Sequence, residues 1–293
     1  MRNDKADHSV SIKERGGLIG RAVLHFIVRY LGKAGIKLIM FPTVLYYIIV
    51  QKKVRQNALK YWSTIYPKHS KLKHLVHIYK QYATFGETLV DRITDQCIIN
   101  NTDQDQSILE ELHKDRGIIL LCSHIGGYNF FRFQFDETIH VMMFNHQDDN
   151  KQDKYAMFDH EHKEKVRFIN PSDPNAIFKA AKVLSERGIL AIMGDRVFNT
   201  KDKYLKEKDI LGLRRNFPLG PWHIAYSTSS SVLCLFIIKR NKEYHLILKP
   251  PIHLGKEINK SKKEQIDEGF MAYVQNIEEV LKDYPYQWFN FKD

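Results

Sequence analysis

Hydrophobic residues follow two different periods along the chain. Between residues 52 and 95 they recur at three- and four-residue steps, for example at Trp62, Leu72 and Tyr79, and this spacing predicts helices. From residue 117 onward the apolar residues form short runs between turn residues, which predicts buried strands. The six runs cover residues 117–122, 140–144, 166–169, 189–193, 231–238 and 244–248.

Helical patterns separate these runs. One spans residues 173–187, with Ser172 and Asp173 as candidate capping residues, and another spans residues 262–282. The alternation of strands and helices predicts an α/β fold, with a mixed, largely parallel sheet flanked by helices. We expect this domain to occupy residues 61–293 and to follow a basic, apolar, helical segment at residues 1–60 that faces a membrane.

The N-terminal quarter of the chain differs from the rest in charge. The 293 residues include 45 Lys and Arg against 34 Asp and Glu, a net charge of +11. No acidic residue occurs between residues 15 and 86, whereas 13 basic residues occur there. The rest of the chain is close to neutral, so the excess positive charge belongs to this segment. It predicts an anionic partner, either a lipid surface or an acidic protein.

The apolar residues within the basic segment favour a lipid surface. Residues 18–50 are mostly apolar, and their longest uncharged run, residues 38–50, has 13 residues and contains Pro42. A membrane-spanning helix needs about 20 apolar residues. We therefore expect an amphipathic or re-entrant hairpin in the membrane interface, with Tyr46 and Tyr47 at headgroup level. The alternative is a pair of buried helices with a solvated basic face.

Several classes of protein find no support in the sequence. The three cysteines (Cys97, Cys122 and Cys234) are odd in number and far apart, so they predict thiols in a reducing compartment and not a disulfide framework. There is no P-loop, Gly-x-Gly-x-x-Gly, Gly-x-Ser-x-Gly or Cys-x-x-Cys motif. The near-neutral remainder argues against a nucleic-acid partner. We interpret residues 159–162 (Asp-His-Glu-His) as solvated, and we predict no metal and no cofactor.

The residues that suggest chemistry follow predicted strands, where open α/β sheets bind ligands. Ser123 and His124 come after the first strand, followed by Gly126, Gly127 and an apparent helix from Tyr128. We expect the chain to leave the sheet at His124, and the glycines to let backbone amides approach a ligand. The helix N-terminus would offer N–H groups to an oxyanion. The pattern alone leaves a catalytic and a structural role for His124 both open.

Two further segments have the same setting. The strand at residues 189–193 leads to Asp195 and Arg196, which could be a structural ion pair or a clamp for an anion such as a lipid headgroup. Phe217, Pro218 and Gly220 belong to a rigid turn before a helix. The pattern alone favours a packing role for this turn.

Six motifs together resemble a known family. They are KERGG at 13–17, VDRI at 90–93, SHIGG at 123–127, MGDR at 193–196, FPLGPW at 217–222 and PYQWFNF at 285–291. In this order, over nearly the whole chain, they resemble the lysophospholipid acyltransferase superfamily, in the branch of the bacterial lipid A late acyltransferases. The resemblance implies an O-acyltransferase at the cytoplasmic face of the inner membrane. Its donor would be an acyl carrier protein or CoA thioester, and its acceptor a hydroxyl of a lipid or glycolipid.

The resemblance also implies roles for individual residues. His124 would be the general base. The residues that would line the acceptor and donor pocket are Gly126, Gly127, Asp195, Arg196, Phe217, Pro218 and Gly220.

The chain departs from the family pattern at one position. The family has an acid five residues after the histidine, where this chain has Asn129. Asn129 could accept a hydrogen bond from the ring, but it cannot supply a negative charge. Another carboxylate could serve His124 instead, with Asp195 as the first candidate and Asp136 as the second. The alternative function is a weakened homologue that binds acyl carrier protein or lipid without fast turnover.

Overall fold

The computed structural model describes residues 30, 35, 39–93, 99–100, 115–128, 130, 138–143, 166–197, 204–241 and 243–290. Three helices come first: α1, described over residues 39–50, then α2 (Lys52–Ile65) and α3 (Lys71–Ile93). The later helices are α4 (Ala176–Ser185), α5 (Gly220–Thr228) and α6 (Lys262–Asp283), and a 3-10 turn follows at Pro285–Gln287. The helices predicted between residues 52 and 95 are confirmed. They are two separate elements, with Pro67 in the turn between them.

Ten strands are described. They are β1 (Ile99–Asn100), β2 (Ile118–Gly126), β3 (Ile139–Met142), β4 (Val166–Ile169), β5 (Ile189–Met193), β6 (Leu205–Ile210), β7 (Leu213–Pro218), β8 (Ser231–Arg240), β9 (Glu243–Leu248) and β10 (Ile252–His253). The predicted bounds of β4 and β5 are confirmed. The chain was expected to leave the sheet at His124, but β2 continues for two further residues.

One sheet organises the molecule. Its order is β1-β9-β8-β2-β5-β3-β4, with β10 beside β8, and β6 and β7 form a separate hairpin. β2 is parallel to both of its neighbours, β5 and β8, and β3 is parallel to β4 and β5. β9 and β10 run antiparallel to β8. The predicted α/β class with a mixed, largely parallel sheet is therefore confirmed.

The helices differ in how they begin. Ser261 caps α6 through a reciprocal capping box. The Ser261 side chain accepts a hydrogen bond from the Glu264 N–H, and the Glu264 side chain accepts one from the Ser261 N–H. The predicted caps of α4 are wrong. That helix follows Asn175, which makes no side-chain capping bond, and Asp173 instead accepts from the Asn175 N–H in the preceding turn.

The helices α1 to α3 pack onto the same core as the sheet. Val44, Ile48 and Trp62 belong to one buried cluster with Leu121 and Ile125 of β2. The end of α1 is held by Arg55, whose Nη1 donates to the carbonyl oxygens of Ile48 and Ile49 at 2.7 and 3.1 Å. α2 continues across the predicted domain boundary at residue 60. None of the described helices is long and apolar enough to cross a bilayer.

Candidate active site

The central strand β2 becomes irregular near its carboxyl end. Its nine residues are all buried, and its ladder with β5 ends at the pair Cys122–Met193. The ladder with β8 shifts register between Cys122 and Gly126. His124 lies in this irregular stretch, so its backbone N–H is available to a partner outside the regular ladder.

His124 and Asp195 form a buried pair. The Nδ1 atom of His124 lies 2.7 Å from Oδ1 of Asp195, and the backbone N–H of His124 donates to Oδ2 of the same carboxylate at 2.9 Å. Asp195 follows β5, the parallel neighbour of β2, by two residues. The two side chains therefore meet at the carboxyl ends of adjacent parallel strands, where ligands bind in open α/β sheets.

Burial and hydrogen bonding act in opposite directions on Asp195. Its side chain has 0% exposure, and this burial by itself would raise the pKa of the carboxyl group. The charge of His124, the hydrogen bonds from its ring and backbone, and the nearby Arg196 together outweigh burial and lower the pKa of Asp195. Asp195 is therefore ionised at neutral pH.

An ionised Asp195 determines the tautomer of the His124 ring. A carboxylate has only acceptor atoms, so Nδ1 carries the proton that is shared with Oδ1. The other ring nitrogen, Nε2, then has a free lone pair and can accept a proton from a hydroxyl group. Within the described ranges no protein group hydrogen-bonds to Nε2. Tyr128 packs on the ring at a centroid distance of 4.9 Å, and the His124 side chain remains 9% exposed.

Cys122 and Ser123 precede His124, but neither is activated as a nucleophile. Burial raises the pKa of the Cys122 thiol, which disfavours the reactive thiolate. The Ser123 hydroxyl shares a 2.8 Å hydrogen bond with the hydroxyl of Tyr273, and burial raises the pKa of Tyr273 well above its usual range. The geometry therefore does not support Cys122 or Ser123 as a nucleophile beside the His124–Asp195 pair.

The C-terminal segment, residues 284–290, closes one side of the site. The Phe289 N–H donates to the His124 carbonyl oxygen at 2.7 Å. The indole N–H of Trp288 donates to Oδ2 of Asp195 at 3.3 Å, and Asn290 Nδ2 donates to the Asp195 carbonyl oxygen at 2.9 Å. The sequence pattern does not predict these contacts, because their partners are more than 90 residues apart.

Gly126 and Gly127 lie where β2 and β8 approach each other closely. Gly126 has a φ of +57°, and a Cβ atom there would lie 2.1 Å from the Ile237 carbonyl oxygen. The Gly127 N–H donates to that same oxygen at 2.7 Å. A Cβ atom at Gly127 would lie 2.4 Å from Cδ2 of Phe130, so close packing explains the glycine at both positions. The Gly127 N–H is bonded within the protein instead of facing a ligand. Substrate contact at the two glycines stays a prediction.

Arg196 contacts the C-terminal segment. Its Nη2 donates to the Phe289 carbonyl oxygen at 2.8 Å, and its Nε donates to Asn290 Oδ1 at 3.4 Å. Because the neighbouring Asp195 hydrogen-bonds to His124, the contacts of Arg196 link the His124–Asp195 pair to the C-terminal segment. An additional role of Arg196 in holding an anionic headgroup stays a prediction.

The three candidate residues of the turn after β7 lie in different surroundings. Phe217 is buried and packs on Phe270 and Tyr273, with ring centroids 5.6 and 6.5 Å apart. Pro218 ends β7 and Gly220 begins α5, and both are half-buried. A Cβ atom at Gly220 would meet nothing within 4 Å. Phe217 thus supports the core beneath Tyr273, while substrate contact by the three residues stays a prediction.

Arg215 adds positive charge to the site, and the sequence analysis does not identify it. Its guanidinium group lies over the Trp288 ring, 5.6 Å from the centroid. Burial lowers the pKa of Arg215, and the charge of Asp195 opposes that effect. No periodic signal in the sequence marks Arg215, because three consecutive polar residues (214–216) separate the apolar Leu213 and Phe217.

Some sequence predictions concern residues beyond those described. Asn129, Asp136 and residues 159–162 all lie outside the described residues. In the part of the chain that the structure describes, no cluster of three or more His, Cys, Asp or Glu side chains could hold a metal ion.

A comparison with protein families gives a match over nearly the whole chain. A family model described as bacterial lipid A biosynthesis acyltransferase matches residues 7–293. No curated protein sequence matches the chain.

Proposed function

Because the chain belongs to the bacterial lipid A biosynthesis acyltransferase family, we propose that it moves a fatty acyl group from a thioester to a hydroxyl of a lipid or glycolipid. The thioester would be carried by an acyl carrier protein or by CoA. The pairing of His124 with the buried Asp195 carries this proposal. Acyl transfer to a hydroxyl needs a base for the hydroxyl proton, and Nε2 of His124 is suited to that role.

The proposed reaction proceeds in two steps. First, Nε2 of His124 takes the proton of the acceptor hydroxyl while its oxygen forms a bond to the thioester carbonyl carbon. Asp195 stabilises the resulting imidazolium through Nδ1–H. In the second step the tetrahedral intermediate breaks its carbon–sulfur bond, and the proton on Nε2 passes to the leaving thiolate. The products are the acylated lipid and a free thiol, and His124 is regenerated.

The exposed face of α1 supports a membrane-associated acceptor. Val44 and Ile48 pack into the core and Met40 and Tyr47 pack partly against it, but most other apolar side chains of this helix lie outward. The large exposed ones are Ile39, Phe41, Leu45, Tyr46, Ile49 and Val50. A helix that is apolar on both its packed and its outer face is expected to have an apolar partner on each. The fatty acceptor lipid and its bilayer are that partner in our proposal.

Positive charge accompanies this apolar surface on α2 and α3. Exposed lysines occur on both helices and in the turn between them, and α3 also has exposed apolar residues such as Leu72 and Val76. These lysines are Lys52, Lys53, Lys60, Lys68, Lys71, Lys73 and Lys80. Each basic residue near an anionic leaflet contributes about 1 kcal/mol to binding. We therefore propose binding to anionic lipid at the cytoplasmic face of the inner membrane, with the acidic acyl carrier protein as the protein partner.

Removing exposed apolar groups from α1 tests the membrane part of the proposal. The double substitution of Tyr46→Ser and Ile49→Ser should weaken binding to vesicles that contain anionic lipid by about tenfold or more, because each buried large side chain contributes about 1.5–3 kcal/mol. Phe178→Ser is the matched control, since Phe178 is 78% exposed but lies on α4. Co-sedimentation measures the effect. Wild-type protein that fails to co-sediment at low salt would contradict membrane binding.

A second test concerns the unusual Asn129. Since Asp195 already supplies a carboxylate to the His124 ring, Asn129→Glu should give no gain in kcat and could lower it by adding a like charge. The measurement is transfer of a radiolabelled acyl group, with Asn129→Gln as the uncharged control. A rise in kcat of about 10²–10⁴ in Asn129→Glu would show instead that His124 lacks an effective acid. No acyl transfer by the wild type or by Asn129→Glu would favour the weakened homologue that only binds acyl carrier protein or lipid.

A further inference from the structure

A chain of buried hydrogen bonds runs from α2 to the His124–Asp195 pair. The indole N–H of Trp62 donates to Oε1 of Gln81 at 2.9 Å, and Nε2 of Gln81 donates to the Trp288 carbonyl oxygen at 2.7 Å. The indole N–H of Trp288 then donates to Oδ2 of Asp195 at 3.3 Å. All of these side chains are buried. Because buried polar groups are costly when unpaired, such a chain holds its members in a single arrangement.

We propose that Trp288 and Gln81 are positioning residues for the reaction. Trp288 fixes the orientation of the Asp195 carboxylate, and Gln81 fixes the backbone of Trp288. The proposal rests on the proposed acyl transfer, because an orientation of Asp195 matters to the rate only if His124 acts as the base.

The need for positioning arises from the carboxylate itself. The torsion that turns a carboxylate about its Cβ–Cγ bond is broad and has no sharp rotamer. Oδ1 of Asp195 must nevertheless stay in line with Nδ1 of His124. Two donors from different segments hold Oδ2, namely the backbone N–H of His124 at 2.9 Å and the indole of Trp288 at 3.3 Å. With Oδ2 held from two sides, Oδ1 keeps its place beside the ring.

The indole of Trp288 is itself held on two sides. The Tyr61 ring packs against it at 5.3 Å with an interplanar angle of 70°, and the guanidinium group of Arg215 lies over it. The amide of Gln81 adds a backbone contact from α3. These contacts restrict the direction of the indole N–H, as expected of a group that orients a catalytic partner.

The test removes the indole N–H of Trp288 and keeps an aromatic ring at this position. Trp288→Phe deletes the N–H and leaves a smaller ring. Benzothienylalanine at position 288 replaces the N–H by sulfur with little change of shape. Gln81→Leu removes the next member of the chain. Gln265→Leu is the matched control for Gln81→Leu, because the buried Gln265 amide bonds to the backbone of Gly255 and Lys260 and not to Trp288 or Asp195. Three quantities are measured: kcat and KM for acyl transfer, the thermal midpoint, and the NMR resonance of the His124 Nδ1–H in histidine-labelled protein.

Both replacements at Trp288 should lower kcat by about 10- to 100-fold with little change in KM. They should also shift or broaden the Nδ1–H resonance, and Gln81→Leu should act in the same direction. Gln265→Leu should lower only the thermal midpoint. Wild-type values of kcat and of the resonance in the Trp288 variants would overturn the proposal. So would an equal loss of kcat in Gln265→Leu. If wild-type protein transfers no acyl group, the proposed function fails, and the resonance alone still decides whether Trp288 positions the pair.

Discussion

Replacing Asp195 with asparagine should lower kcat for acyl transfer by about 10³–10⁴. The same acid-to-amide change in the serine-protease triad costs about 10⁴. The asparagine has nearly the shape of Asp195, but it carries no charge to stabilise the imidazolium of His124. Its amide nitrogen can also face Nδ1, which would place the ring proton on Nε2 and remove the base. The measurement is the rate of transfer from a thioester at saturating donor.

The control for this substitution is a carboxylate of similar chemistry away from the site. Asp209 lies on β6 with 59% of its side chain exposed, close to Arg214. Asp209→Asn should transfer acyl groups at the wild-type rate. Circular dichroism of both variants shows whether the fold is retained. A folded Asp195→Asn protein with nearly wild-type kcat would remove Asp195 from the reaction.

Replacing His124 has the largest expected effect. His124→Gln and His124→Ala should each reduce the rate of acyl transfer by about 10⁴ or more, because neither side chain can accept the proton of the acceptor hydroxyl. Glutamine is the better probe, since its amide can still donate a hydrogen bond to Asp195. Binding of an acyl-CoA, measured by titration calorimetry, should persist in His124→Gln. Loss of donor binding together with activity would instead indicate a structural role.

His124→Ala should also change the dependence of stability on pH. In the wild type the lowered pKa of Asp195 contributes stability that is present above the unfolded pKa of about 3.9 and is lost as pH falls through the folded value. Without the ring, burial raises the pKa of Asp195 and that contribution disappears. The difference in free energy of unfolding between wild type and His124→Ala should therefore be largest at neutral pH and shrink as pH falls, first through the raised pKa of Asp195 in the variant and then through its lowered pKa in the wild type. Urea titrations across this range measure it.

The sequence predicts the central sheet because its strands are continuous apolar runs. β2, β5 and β8 are covered on both faces, so their residues are mostly buried along the whole strand. Such runs are visible without any knowledge of the fold. The length of β2 is less predictable, since Ser123 and His124 are polar and end the apolar run although the strand continues to Gly126.

The hairpin of β6 and β7 is absent from the sequence prediction because most of its side chains are polar or charged. Only residues such as Ile210, Leu213 and Phe217 are buried, so no long apolar run marks it. The one clear signal in the sequence is Gly212 at the turn. Leu211 and Gly212 both have positive φ, at 49° and 83°. A two-residue turn with glycine at its second position is typical of a tight hairpin.

The partner of His124 illustrates a limit of a different kind. The family pattern points to position 129, where this chain has Asn129, and the sequence offers Asp195 as the first alternative carboxylate and Asp136 as the second. Only the order of strands shows that β5 is the parallel neighbour of β2, which brings Asp195 to the ring. Trp288 is less predictable still, because the C-terminal segment follows the last strand in the chain and yet forms a bridge with Ile125 of β2. Local periodicity carries no information about such a return.

The most direct test of the central claim is a double-mutant cycle on His124 and Asp195. The claim is that the two residues act as one unit in which Asp195 works only through the ring. Acyl transfer is measured for wild type, His124→Gln, Asp195→Asn and the double variant, with fold and donor binding verified for each. We predict that the double variant is no slower than His124→Gln alone, since residues that act as a unit are strongly non-additive. Losses that multiply, so that the double variant is slower by the product of the two single effects, would contradict the claim.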